Sequence, residues 1–133
     1  MDEKKIPEEI RAFTYKYINS LEQLEILCFM YENRYEEYNP SMIAKELRTS
    51  ELSVENTFKD LFSKDFIVLK NSENKFYQYG PKTDILDVGV RIIYQFYKNN
   101  YHTMINLIYS RPIENIRSFS DSFKFRKDDK NNG

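Results

Sequence analysis

The sequence predicts a mainly α fold that carries one small β-hairpin. Three observations predict it. Gly and Pro together occupy only seven positions in 133, so interruptions are few and helices can run long. Apolar residues recur at spacings of three and four through most of the chain, the period of a helix buried along one face. That period gives way once, to two short runs, Ile67–Asn71 and Lys75–Tyr79, joined across Ser72-Glu73-Asn74 as a hairpin with a three-residue tip.

Each element follows from local signals. Residues 6–17 read as a first helix, with Pro7 in its first turn and Ile6, Ile10, Phe13 and Tyr17 on one face. Asn19-Ser20 breaks this run. Ser20 caps a second helix ending near Asn33, with Gln23 as its capping-box partner. Leu21, Leu24, Leu27, Cys28 and Tyr31 form its buried stripe, and Glu22, Glu25 and Glu32 face outward. Arg34–Tyr38 reads as a polar, tyrosine-rich loop. Asn39-Pro40 then opens a short helix through Met42, Ile43, Ala44 and Leu47. Thr49-Ser50-Glu51-Leu52 is read as the turn, and Ser53 as the cap of a helix over 54–64 that turns Val54, Phe58, Leu61 and Phe62 inward. Asp65 stands at a sharp turn and is one of the few residue types besides Gly that tolerate αL.

After the hairpin, Gly80-Pro81 ends the strands. Thr83 or Asp84 opens the longest helix, to about Ser110. Leu86, Val90, Ile93, Tyr97, Tyr101, Met104 and Ile108 lie close to a heptad line, with Ile85, Ile92, Phe96 and Leu107 beside it. A stripe this wide implies two buried surfaces, one on the helix's own domain and one on something else. Leu86, Val90, Ile93, Tyr97, Met104 and Ile108 are the candidate dimer seam. Arg111-Pro112 closes the helix. A tail helix over about 112–125 carries Ile113, Ile116, Phe119 and Phe123, and the last residues are polar. The organisation is one domain over 1–110, with its core at 20–80, and a tail over 111–133.

Composition narrows the function. Hydrophobic residues make up 41% of the chain and charged residues 31%, enough for a buried core with a solvated surface. Twenty basic and 21 acidic residues leave a formal charge of −1, without the basic excess usual for a nucleic-acid module. Residues 20–39 hold five Glu against Arg34, a net of −4, and residues 111–133 net +2. Cys28 and His102 are each the only one of their kind, so no internal disulfide and no Cys/His zinc site is expected. No cofactor is expected, and no phosphate loop, nucleophile elbow or His–carboxylate spacing indicates an enzyme. The start, MDEKKIPEE, lacks an apolar segment, and no run approaches the ~20 residues that cross a bilayer. A cytoplasmic protein with no membrane contact is expected. The 11 Tyr and 10 Phe are read as core before they are read as the lining of a ligand pocket.

The order between Asn39 and Gly80 (helix, turn, helix, strand, turn, strand) is that of a winged helix-turn-helix. The full prediction adds an N-terminal helix before it, and a long C-terminal helix plus tail helix after it. Residues 39–80, NPSMIAKELRTSELSVENTFKDLFSKDFIVLKNSENKFYQYG, resemble the winged-helix part of multiple-antibiotic-resistance (MarR-type) and PadR-like bacterial regulators. The shared features are the capped short helix, the Ile43/Ala44/Leu47 core, the Ser53 cap, the Leu61 anchor and the strand entered through Phe66-Ile67. The long helix resembles the dimerisation helix of those regulators. IYSRPIENIRSFSDSFKFRK is similar to the tail of uncharacterised bacterial winged-helix proteins.

The resemblance implies a dimeric, DNA-binding transcription regulator. Its reading helix would present Ser53, Glu55, Asn56, Lys59, Asp60 and Ser63 to base edges. Lys64 and Lys75 would reach phosphates, with Arg48 and Lys45 behind them. This chain departs from the pattern in charge: residues 40–80 hold six basic and six acidic residues, and Glu73 sits at the wing tip. The alternative is a winged-helix adaptor that binds a protein through the same face or through residues 111–126.

Overall fold

Ser20 stops the first helix and starts the second, and the rest of the architecture is built around that second helix. The structure, a computed structural model, describes residues 6–110. Its elements are α1 (Glu8–Tyr17), α2 (Leu21–Glu32), β1 (Glu37–Tyr38), α3 (Pro40–Leu47), α4 (Glu51–Ser63), β2 (Ile67–Asn71), β3 (Phe76–Tyr79), α5 (Asp84–Asn99) and α6 (Tyr101–Tyr109). The chain is mainly helical, with a three-stranded antiparallel sheet in the order β1-β3-β2.

Capping chemistry sets the helix starts. The Ser20 hydroxyl accepts from the Gln23 N–H, and the Asn39 side chain accepts from the Met42 N–H with Pro40 at the first helical position. Thr83 does the same for α5 through the Leu86 N–H. Pro7 sits at the N-cap of α1, just before the first turn rather than in it. Gln23 Oε1 accepts from the Asn19 N–H at 2.9 Å, one residue earlier than an ordinary capping box.

α2 is buried on most of its circumference, through Gln23, Leu24, Ile26, Leu27, Cys28 and Met30. The expected single stripe is therefore too narrow. α2 packs on α4, α5 and β3 at once, and it carries Ile26 and Met30 into the core as well as Leu24 and Leu27. Phe58, Leu61 and Phe66 close the core from the α4 side, and Val90, Ile93, Met104 and Leu107 close it from α5 and α6. Gly89 lets α1 seat on α5. A Cβ there would stand 2.2 Å from the Phe13 ring, which is itself packed against Tyr17 and Phe66.

α4 ends as the sequence indicates. Asp65 adopts φ 69°, the Phe66 N–H returns to the Leu61 carbonyl at 3.0 Å, and the Asp65 N–H returns to Phe62 at 3.1 Å. Those two bonds make a Schellman motif.

Several expectations are corrected. The cap of α4 is Ser50, whose hydroxyl accepts from the Ser53 N–H at 3.0 Å, so the helix starts at Glu51 and the turn is Arg48-Thr49-Ser50. Arg48 makes that turn in αL, at φ 57°. Thr57 is buried while Phe62 is 45% exposed, its ring meeting Tyr77 of β3 rather than entering the core. The loop after α2 holds β1, with Glu37 opposite Gln78 and Tyr38 opposite Tyr77. Lys75 belongs to the hairpin turn, at φ 60°, and a register shift between Leu69 and Asn71 takes up the extra residue.

The predicted single helix 84–110 is two helices. Asn100, at φ −135° and ψ 58°, ends α5 and precedes α6. The expected dimer seam is corrected with it. Val90, Ile93, Met104 and Ile108 are buried in the domain's own core, and Leu86 and Tyr97 pack against that core. The first four are covered by this chain, and Leu86 and Tyr97 are half-buried. The tail helix over 112–125 and its partner surface lie outside the described residues.

Candidate nucleic-acid interface

α4 presents Leu52, Asn56, Lys59 and Ser63 to solvent, at successive spacings of four, three and four along one face. That line spans about 16 Å at the rise of an α-helix. Lys75, on the hairpin turn, and Lys59 both line a cleft of about 100 Å³ between α4 and the hairpin, with Glu55, Phe58, Ser72 and Tyr77. Lys45 and Arg48 are exposed on and after α3. The structure therefore leaves Lys45, Arg48, Asn56, Lys59, Ser63 and Lys75 open to a ligand.

Three predicted contact residues are corrected. The Ser53 hydroxyl donates to a Glu22 carboxylate oxygen, and the Thr49 hydroxyl donates to the other oxygen at 2.7 Å. Asp60 accepts from Gln23 Nε2 at 2.7 Å and pairs with Lys64 at 2.8 Å. Lys64 Nζ also donates to the Tyr17 carbonyl at 2.6 Å. Ser53, Asp60 and Lys64 thus face α1 and α2, and their polar groups are engaged there. Their work is to fix the angle of α4, with Glu22 holding its N-terminal end and Gln23 and Tyr17 its C-terminal end. Sequence reading missed Glu22 and assigned Gln23 only a cap. Glu22 carries no local signal, since its partners Thr49 and Ser53 lie 27 and 31 residues away and Glu25 and Glu32 on the same helix look alike in sequence.

Removing Asp60 and Lys64 from the surface removes one charge of each sign, so the face stays balanced. Lys45, Arg48, Lys59, Lys70 and Lys75 are exposed, and so are Glu46, Glu51, Asp65 and Glu73, with Glu55 half-buried. Apolar groups are open here too: Leu52 is 66% exposed, and Met42, Val68 and Leu69 also reach solvent.

Among the described residues no group of His, Cys, Asp and Glu could hold a metal ion, and no helix is long and apolar enough to cross a membrane. His102 is exposed beside the Tyr101 ring. Cys28 is buried, and burial pushes its thiol up to about 12, with Glu32 adding to the effect.

The chain matches no protein-family model, no curated protein and no solved structure.

Proposed function

We propose that this chain is a winged helix-turn-helix regulator that reads duplex DNA with α4 in the major groove. The observation that carries this reading is the exposed line Leu52, Asn56, Lys59 and Ser63 on a helix whose opposite face is tied to α1 and α2. Asn56 offers the bidentate amide that suits adenine, Lys59 reaches guanine, and Leu52 meets a thymine methyl. Lys45, Arg48 and Lys75 contact phosphates and set the register. A near-neutral face makes binding modest and salt-sensitive. The protein works in the cytoplasm, without a cofactor or a catalytic step.

A homodimer would double the phosphate contacts. Its interface is the outer face of α5 rather than the heptad line, since Ile85 is 80% exposed and Val88 is 39% exposed.

Selection from a random duplex pool at about 0.1 M salt supplies the target, because phosphate-driven binding persists at that screening. Fluorescence anisotropy on the enriched site then tests the residues. Lys59→Glu is expected to abolish specific binding. An unchanged affinity in that variant, or no enriched site at all, rejects the groove-reading model.

The second reading, a protein-binding adaptor, draws on Leu52, Met42, Val68 and Leu69, which give this face an apolar character unusual for a DNA surface. It is favoured if Lys59→Glu is silent and Leu52→Asp abolishes capture of a protein partner.

A further inference from the structure

A second cleft lies on the far side of α2, between that helix, α5 and the end of α3. It is a shallow cleft open to solvent, of about 200 Å³, lined by Glu25, Cys28, Phe29, Glu32, Leu47, Tyr94, Tyr97 and Lys98. The residues are of two kinds. Phe29, Tyr94, Tyr97 and Leu47 supply apolar and aromatic wall. Glu25, Glu32 and Lys98 supply charge, with Glu22 one turn from Glu25 on the same helix.

The charges do not cancel. Lys98 Nζ stands 4.0 Å from Glu32 and 5.7 Å from the centre of the Tyr94 ring, so Glu32 and one face of Tyr94 have their cation. Glu25 has none. Among the described residues it makes no ion pair and no hydrogen bond, and its nearest charged influence is the like charge of Glu22. Burial and Glu22 both raise its carboxyl above the usual glutamate range, and the half-buried carboxylate has no protein cation beside it. A soft, weakly polar group shares the wall. The Cys28 thiol is 4% exposed and makes no hydrogen bond among the described residues.

We propose that this cleft is a binding site for a small organic monocation bearing an aromatic or branched apolar group. The ammonium would sit by Glu25 and against the Tyr97 ring, where the ring's negative face and the carboxylate attract it together. The apolar part would fill the space between Leu47, Phe29 and Cys28, whose soft sulfur tolerates aromatic contact. A metal ion is disfavoured because only two carboxylates line the space and one is already paired. An anion is disfavoured by Glu25 and Glu32. None of the cleft's lining residues belongs to the α4 clamp, and the site stands whether or not α4 reads DNA.

The probe is benzyltrimethylammonium, a permanent cation with one ring, titrated into the full chain and followed by amide and methyl NMR shifts. Saturable shifts are expected at Glu25, Cys28, Leu47, Tyr94 and Tyr97. Glu25→Gln is expected to weaken binding about tenfold or more, and neopentylbenzene, the neutral isostere, to bind correspondingly less well. Glu25→Gln removes an uncompensated charge and leaves the core intact, so folding is retained. Tyr97→Leu, which removes the ring and keeps an apolar wall, provides a second loss-of-binding variant. The proposal is overturned by the absence of saturable shifts up to about 10 mM probe. It is equally overturned by shifts centred elsewhere, or by equal affinity in the wild type and Glu25→Gln.

Discussion

Gln23 joins three segments with one side chain and its own backbone. Its amide nitrogen donates to Asp60 at 2.7 Å, its amide oxygen accepts from the Asn19 N–H at 2.9 Å, and its backbone N–H is capped by Ser20. Because the residue is buried, truncation strands partners on both sides. Gln23→Ala is expected to cost about 1–3 kcal/mol in urea unfolding, and a change near zero would show that Lys64 alone secures Asp60. The sequence made Ser20 and Gln23 visible as a pair, since both lie within four residues. Asp60, 37 residues away, has no local signature.

The same scale governs the alkaline limit of stability. Burial raises the Cys28 thiol to about 12, and it raises Tyr97 and Tyr79 beyond the ordinary tyrosine range, with Glu25 adding at Tyr97 and the hydrogen bond to Asp87 adding at Tyr79. All three are acids whose folded form keeps its proton longer than the unfolded chain does. Their stabilisation is complete below pH about 8, and stability falls as pH rises through the unfolded thiol and phenol range. Thermal scans should show Tm dropping from pH about 8.5 upward, and Cys28→Val should remove the earliest part of that drop. A Tm flat to pH about 10.5 would contradict the burial of these groups.

At the scale of elements, local chemistry was legible wherever one signal stood alone. Asn39-Pro40 opened α3, Ile67 opened β2, and Asp65 turned the chain out of α4, each where the sequence indicated. The start of α4 was ambiguous because Ser50 and Ser53 both have capping chemistry. The distant Glu22 settles it by taking the Ser53 hydroxyl, which leaves Ser50 to cap. The break at Asn100 was invisible because the Phe96 carbonyl still accepts the Asn100 N–H and Asn100 still accepts from Met104, so the apolar period survives the interruption. β1 is two residues long and carries no alternation to read. Asp65 offers a direct test of this level. Its φ of 69° suits Gly better than any L-residue, and the motif needs only its backbone. Asp65→Gly should therefore stabilise by up to about 1 kcal/mol, offset in part by the added freedom of the unfolded chain. A net loss in chemical denaturation would mean that the Asp65 carboxylate contributes something beyond its backbone angle.

At the scale of the molecule, the balanced surface and the buried part of the heptad line bear on one question raised by the proposed DNA-reading function, how many copies it would use. One copy would offer Lys45, Arg48 and Lys75 to phosphates, for a slope of log affinity on log salt of about −3. Two copies give about −5. The predicted seam is poorly placed to hold a second copy, since four of its six residues are inside this one. Ile85 and Val88 remain, on the outward face of α5 and on a different element from the reading helix. Ile85→Glu places a charge on that face, near the start of α5, without touching the core or Lys45, Arg48 and Lys75. Under the dimer reading, sedimentation should show the wild type as a dimer and Ile85→Glu as a monomer. The salt slope should fall by about half in step, while the dependence on Lys59 persists. A wild type that sediments as a monomer with a slope near −3 would assign the reading to a single copy, because the slope counts contacts without assuming how the copies are arranged.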